Sequence, residues 1–426
     1  MKKSGFVMST YVYMLIVFFL LVILSMLAVL NNSRLLSNKL KEKSTDLNIV
    51  LIGNNQINLE LGTEYIEPGY VAQTATGEEL EVDITSDLDV THVGTYSITY
   101  TAKKGTNTIS ESRTIIVYKK FVTYITNLYN NGTNEEGLEK DNTSDQNIRY
   151  TGSEPNNYVT FNNELWRIIG IFDVATTEGG DTSERIKLVR DESIGQYSWD
   201  SNASTVNSGN GYNEWSQADL KSLLNEYYYS GNSITCYAGK NNTTAACPTT
   251  KLNSEAKDLI EDAVWNTGAF RYDAPIATPY AKSVLNAYNE ERGTGVGVAI
   301  LGITRKTTVI QKVGLIYLSD YGYASTESTC RSNLRYGITY TNSAYDYTNI
   351  TCNKNNWLHK NSSYWSLSSY GSPSDNYLGW GIFTSSIISD AKVSNVYNIY
   401  PSVYLKSTAL VTGGDGTQDS PYQLSI

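Results

Sequence analysis

The run from Tyr11 to Leu30, YVYMLIVFFLLVILSMLAVL, constrains this chain more than any other stretch. It carries no charged residue and is apolar on every side of a helix, where a core helix needs only an apolar stripe. At about 1.5 Å per residue such a helix spans about 30 Å, the hydrocarbon thickness of a bilayer. The expected architecture is therefore a polar ectodomain held at a membrane. Lys2 and Lys3 precede the run, as in the basic start of an export signal. A cleavable signal needs small residues just before the cut. The stretch SMLAVLN offers Ala28, but Met26 stands two residues earlier. An uncleaved single-pass signal anchor over residues 11–30 is expected, embedded in the lipid bilayer, with residues 1–10 as a cytoplasmic or leader segment. Arg34, Lys39, Lys41 and Lys43 on the far side run against the positive-inside rule. The N-terminal position of the anchor and the extracellular character of the downstream domains favour a cell-membrane protein with its bulk outside.

At 426 residues the chain exceeds one ordinary core, so two or three domains are expected. Charged residues are only 18% and the net charge is −10, which argues against nucleic acid as a partner. Polarity comes from Asn, Ser and Thr, with 34 tyrosines; such surfaces suit adaptable contact with a glycan or a host or matrix protein. The cysteines fall into two local sets, Cys236 with Cys247 and Cys330 with Cys352. In an exported domain they favour two disulfides, paired in that local way among the three connectivities that four cysteines allow. With no CxxC and only His92 and His359, no zinc site is expected, and no cofactor or other metal.

Residues 31–45, with LLSNKLKEK, are expected to form a helical stalk. Residues 46–120 alternate in hydrophobicity at Asn48–Ile52, Ile57–Leu61, Tyr96–Tyr100 and Thr114–Tyr118. Turn pairs Gly53-Asn54, Pro68-Gly69, Thr76-Gly77 and Lys104-Gly105 separate them, which predicts an all-β sandwich. Gly62 to Tyr70 (GTEYIEPGY), Gly94-Thr95-Tyr96 with Tyr100, and Arg113 four before Val117 resemble the bacterial Ig-like domains of Gram-positive surface proteins. That resemblance implies a spacer or adhesive module without enzymatic activity. The acidic residues Glu78, Glu79, Glu81, Asp83, Asp87 and Asp89 are read as a solvated face, with intermodule calcium as the rival. Residues 121–149 read as a low-hydrophobicity linker. Near the N-terminus, Gly5-Phe6 before the apolar helix resembles a type IV prepilin leader cut after the Gly. Thr10 stands where that family places a Glu.

Residues 150–426 hold all seven tryptophans and read as an α+β domain. Strands are predicted at 158–161, 165–172, 185–190, 307–319, 364–369, 376–383 and 400–407, with the terminal strands paired. One helix is predicted from a capping box of Ser216 and Asp219, with Leu220, Leu223, Leu224, Tyr227 and Tyr228 on one face. A second is predicted from a Ser254 cap, with Ala256, Leu259, Ile260, Ala263 and Val264. The stretches FNNELWRI (161–168), LVRDES (188–193), LIYLSDYGY (315–323), WSLS (365–368) and GGDGT (413–417) resemble a surface domain widespread in Bacillota. More distantly, the WSLS strand and paired ends are similar to the C-type-lectin and formylglycine-generating-enzyme superfold. Relatives close with Arg-Pro-Val-Val-x-Leu; Tyr400-Pro401-Ser402-Val403-Tyr404-Leu405 lacks the Arg.

Several short motifs are read as incidental. Glu154-Pro155-Asn156 matches a sugar-selecting tripeptide, but no Trp-Asn-Asp accompanies it later in the chain. Cys352 with His359 would need a free thiol and an orienting third group to act as nucleophile and base. Gly413 to Asp419 lacks the ligand spacing of an EF-hand. No catalytic residues are expected. The expected function is that of an anchored surface protein whose Ig-like spacer presents a distal ligand-binding or adhesion domain. A minor pilin-like subunit and an enzyme of unrecognised activity are the alternatives. The expected binding surface comprises Arg331, Arg335, Tyr336, Tyr340, Tyr345, Tyr347 and Trp357, because Arg and aromatic side chains dominate binding hot spots.

Overall fold

The computed structural model describes residues 10–43, 46–132, 137–202, 206–271, 283–293, 299–300, 303–334, 338–341, 344–347, 350–371, 375–384 and 388–426. Two compact units result, Met1–Val117 and Tyr118–Ile426. The first opens with a helix from Thr10 to Lys43, so residues 31–43 of the expected stalk are helical. Met14–Leu35 is long and apolar enough to cross a membrane, and none of it is buried. A helix without protein cover on any face suits lipid as its surroundings.

The β part of this unit has two layers. Leu47–Leu51 pairs with Tyr70–Thr74; opposite them Val82–Ser86, Gly94–Lys104 and Asn107–Lys120 run antiparallel, with Gln56–Glu60 added on the last. Alternate residues from both layers meet inside: Ile49, Ala72, Ile98, Tyr100, Ala102, Ile115 and Val117. The Gly62–Tyr70 stretch, with its Pro68-Gly69 turn, closes over this core. Arg113, fully buried, donates through Nη2 to Ile52 O at 3.0 Å, Glu67 Oε1 at 3.1 Å and Gly69 O at 3.2 Å, and through Nη1 to Asn54 O. Glu67 in turn accepts from Tyr65 Oη at 2.7 Å, Gly69 N at 2.8 Å and Tyr100 Oη. Five of the residues that carry the Ig-like resemblance, Tyr65, Glu67, Gly69, Tyr100 and Arg113, thus form one hydrogen-bonded lock.

The second unit is built on an antiparallel sheet in the order Val313–Gly314, Ser402–Tyr404, Thr182–Arg190, Glu164–Ala175, Ile148–Tyr150, Leu138–Lys140, with Tyr158–Phe161 also on Glu164–Ala175. A second sheet has the order Gln196–Ser198, Val396–Asn398, Tyr364–Tyr370, Leu378–Ile382, Ile388–Lys392, joined by Ala269–Phe270. All seven tryptophans are buried, six of them at 1% exposure or less. They are core, and Trp199 packs edge-on against Trp215 at 5.0 Å. The expected pairing of strands 158–161 and 400–407 does not form. Tyr158–Phe161 lies on Glu164–Ala175, and Ser402–Tyr404 lies between Thr182–Arg190 and Val313–Gly314. The contacts of the chain's last residues are different ones. Lys119 and Lys120 face Val411 and Leu410, and Tyr158 exchanges backbone hydrogen bonds with Gly416 and Tyr422.

Three further expectations need correction. Residues 121–149 are not a linker. Phe121–Asn131 is a helix that buries Phe121 and Ile125, and Leu138–Lys140 and Ile148–Tyr150 are strands of the main sheet. The Ser216–Asp219 capping box does not form. Glu214 accepts Ser216 N instead, and Asp219 accepts Ser201 N at 2.9 Å. The helix there runs Asp219–Ser222 and widens into a π-helical Leu223–Tyr229, still burying Leu220, Leu223, Leu224 and Tyr228. Ser254 is inside its helix, capped by Asn253 through Ala256 N, and the helix stops at Leu259. Ala263 and Val264 belong to the strand Ala263–Asn266, so the helical spacing was a coincidence of short apolar runs.

Candidate functional site

A cavity of about 470 Å³ opens in the second unit beside the Cys330–Cys352 disulfide. Its walls come from five places in the chain: Lys140 at the end of the strand Leu138–Lys140 with Asn142 just after it, Ser283, Val284 and Leu285 at the start of the helix Val284–Arg292, Tyr323 at the end of the helix Leu318–Tyr323, Thr326, and Ser328, Arg331 and Ser332 on the helix Ser328–Ser332. The disulfide ties that last helix to the helix Ile350–Lys354, and Arg331 reaches the sheet through Glu139 of the strand Leu138–Lys140. Arg331 Nε donates to Ser325 O at 2.6 Å and Nη2 to Glu139 Oε2 at 2.7 Å, leaving a quarter of the side chain exposed. Tyr323 Oη donates to Asn142 Oδ1 at 2.5 Å, and burial pushes its pKa up, so it stays a neutral phenol. Asn355 Nδ2 donates to Glu327 Oε1 at 2.6 Å and steadies the turn before the helix.

Among the described residues the lining offers hydroxyls, an amide, two cations and the apolar side chains of Val284 and Leu285, with no carboxylate, thiol or imidazole. Such groups can hold a ligand by a few polar contacts against an apolar wall. Among the described residues, no group of three or more His, Cys, Asp or Glu is placed to hold a metal ion.

Of the expected surface residues, Arg331 lines this cavity. Trp357 does not belong to any surface. It is 4% exposed, its Nε1 donates to Tyr150 O at 2.8 Å, and its ring lies 4.7 Å from the Arg167 guanidinium. The physical reason is that an indole with a backbone partner gains more from burial beside the sheet than from solvent. Arg335 and Tyr336 lie outside the described residues. Tyr340, Tyr345 and Tyr347 sit on a hairpin, Ile338–Thr341 with Ala344–Tyr347, where Tyr340 is paired with Tyr345 and Ile338 with Tyr347. Gly5 and Phe6 also fall outside the described residues. Lys140, Asn142, Thr326 and Ser328 were not foreseen; single polar residues in separate segments leave no pattern in the sequence.

The remaining motifs have internal work. Glu154 accepts from Tyr158 Oη at 2.7 Å and from Arg167 at 3.1 Å. Cys352 is bonded to Cys330, and Cys236 to Cys247, so Cys352 carries no nucleophile. His359 is half-buried, where burial lowers its pKa. In the Gly413–Asp419 loop, Asp415 Oδ1 accepts Thr417 N at 3.0 Å and Thr417 Oγ1 at 2.7 Å. Gly416 has φ +82°, and an added Cβ would stand 2.4 Å from Asn156 O. The loop is a tight turn that only glycine fits.

Residues 49–117 match the family model described as bacterial surface protein, Ig-like domain. The chain thus carries a bacterial surface Ig-like domain behind an N-terminal helix long and apolar enough to cross a membrane. No curated protein matches it. Among solved structures, the crystal structure of a lipoprotein from Bacteroides thetaiotaomicron shares 17% identity, with a TM-score of 0.17. That match covers 34% of this chain and 61% of the lipoprotein, so this chain spans less than two thirds of it.

Proposed function

We propose that this protein is anchored in the cell membrane by its N-terminal helix, single-pass, with both folded units outside. The Ig-like unit serves as a spacer. The second unit, a lectin-like binding domain, takes a polar ligand such as a glycan or a polar segment of a host or matrix protein in the cavity at Arg331. One observation carries the binding role: the cavity sets Arg331, Lys140, Asn142 and several hydroxyls around the apolar side chains of Val284 and Leu285, the mixture of a few polar groups on an apolar wall that ligand pockets show. Its main walls are held by a disulfide and by the edge of a sheet, so little ordering entropy opposes binding.

The test is a screen of glycans and matrix proteins with the purified protein and its Arg331→Ala and Asn142→Ala variants. Binding that weakens at least tenfold in both variants, with unchanged melting, is the expected result. A ligand bound equally well by all three proteins would move the site elsewhere. Turnover of a screened ligand would replace the binding role with an enzymatic one.

A further inference from the structure

Lys187 lies in the middle of the strand Thr182–Arg190 with no exposure at all. Its Nζ donates to Asp320 Oδ2 at 2.6 Å, and both side chains are fully buried. Aromatic rings wall the nitrogen in: Tyr317 at 4.0 Å, Trp265 at 4.9 Å, Tyr404 at 5.4 Å and Phe172 at 5.9 Å from ring centres. Asp320 Oδ2 also accepts Tyr317 N at 2.9 Å, while Oδ1 accepts Arg149 Nη1 at 2.8 Å. Arg149 is itself held by Asp141 Oδ2 at 2.6 Å, between the rings of Phe172 and Tyr323.

Away from water, an ammonium facing a carboxylate loses much of its advantage over the neutral amine facing the acid. Burial brings the Lys187 pKa down to about 8 even against the attraction of Asp320, so its free amine is far more accessible than in an ordinary lysine. A desolvated lysine is a nucleophile, and its nitrogen is sealed in against a single carboxyl group. Burial works to raise the pKa of Asp320, but Lys187 and Arg149 hold it at about 2. The pair therefore rests ionised and condenses only through the neutral form that proton transfer between the two creates. Groups held in such contact reach effective concentrations of about 10⁵–10⁸ M.

We propose that Lys187 and Asp320 condense into an intramolecular amide, a covalent cross-link between the strand Thr182–Arg190 and the helix Leu318–Tyr323. The ammonium passes one proton to Oδ2, and the freed amine attacks Cγ. The Nζ–Cγ bond forms, the Cγ–Oδ2 bond breaks, and that oxygen leaves as water with a second proton from the nitrogen. Charge and atoms balance within the pair, and no oxidant or cofactor takes part. Negative charge builds on Oδ1 in the tetrahedral intermediate, where the Arg149 guanidinium already points, so Arg149 is the catalytic residue. The product would staple the main sheet of a surface domain against unfolding and proteolysis.

The test is mass spectrometry of the full chain, reduced and denatured, with its N-terminus read from the same sample. The expected mass is that of the sequence less one water, and digestion should yield a branched peptide whose fragments join Lys187 to Asp320. The Lys187→Met variant should regain the missing mass. Recovery of the Lys187 and Asp320 peptides unlinked from wild-type protein would overturn the proposal. So would a water loss that persists in Lys187→Met, which would mark dehydration elsewhere. If that variant fails to fold, the wild-type peptide map alone decides.

Discussion

The Arg113 guanidinium meets the Glu67 carboxylate at 3.1 Å across 46 residues of sequence, with the Arg fully buried and the Glu about a third exposed. Removing Arg113 takes its donors from Glu67 and from three backbone carbonyls, those of Ile52, Asn54 and Gly69. Breaking a buried pair costs about 3–5 kcal/mol, and the partial exposure of Glu67 places Arg113→Met near the lower end. Partial burial works to raise the Glu67 pKa. Hydrogen bonds from Tyr100, Tyr65 and Gly69 N and the Arg113 charge outweigh it, so the pKa lies below the ordinary value. The stability Glu67 contributes is therefore complete above the unfolded glutamate pKa of about 4.3 and is lost as pH falls through the lower folded value. Melting curves of wild type and Glu67→Gln should differ at pH 7 and converge towards pH 3. A constant gap between them would show that the ionised pair does not hold the sandwich.

Trp357 and Arg331 are close in sequence but are expected to respond in opposite ways. Trp357→Ala should destabilise the second unit by about 3–5 kcal/mol, as for other buried aromatics. Arg331→Ala removes a partly exposed ion pair worth about 0.2–1 kcal/mol and should weaken ligand binding instead. Denaturant titration of both variants checks this. Equal destabilisation would make Arg331 a structural residue.

The two disulfides close loops with separations of 11 and 22 residues. Each should add about 3 kcal/mol by restricting the unfolded chain. The double substitutions Cys236→Ser with Cys247→Ser, and Cys330→Ser with Cys352→Ser, should each lower the melting temperature. Only the second pair is expected to weaken ligand binding, because only that bond anchors the helix Ser328–Ser332 that carries Arg331. Unaltered melting in both variants would contradict the loop-closure account.

The strands were the most legible part of the sequence. In the Ig-like unit, period-two alternation and glycine turns between Leu47 and Lys120 lay close to the folded elements. The long strands Glu164–Ala175 and Thr182–Arg190 were legible for the same reason. Residues 121–149 were hidden by their Asn-rich composition, which masks the few side chains, Phe121 and Ile125 among them, that attach the helix to the unit. Helix starts were misread because Ser216 and Ser254 are good caps by type, while Glu214 and Asn253 hold the cap positions in space. The ionic centre of the second unit, Arg149, Lys187 and Asp320, could not be foreseen. Basic residues in a strand read as outward-facing, and their partner lies 171 and 133 residues further on.

Exposure of both folded units on the outside of the cell is the central claim, and protease treatment of intact cells tests it most directly. The protein should lose everything from about residue 46 onward and leave a short membrane-bound fragment containing the helix Thr10–Lys43. Full protection on intact cells, with digestion once the membrane is permeabilised, would place both units inside and contradict the account.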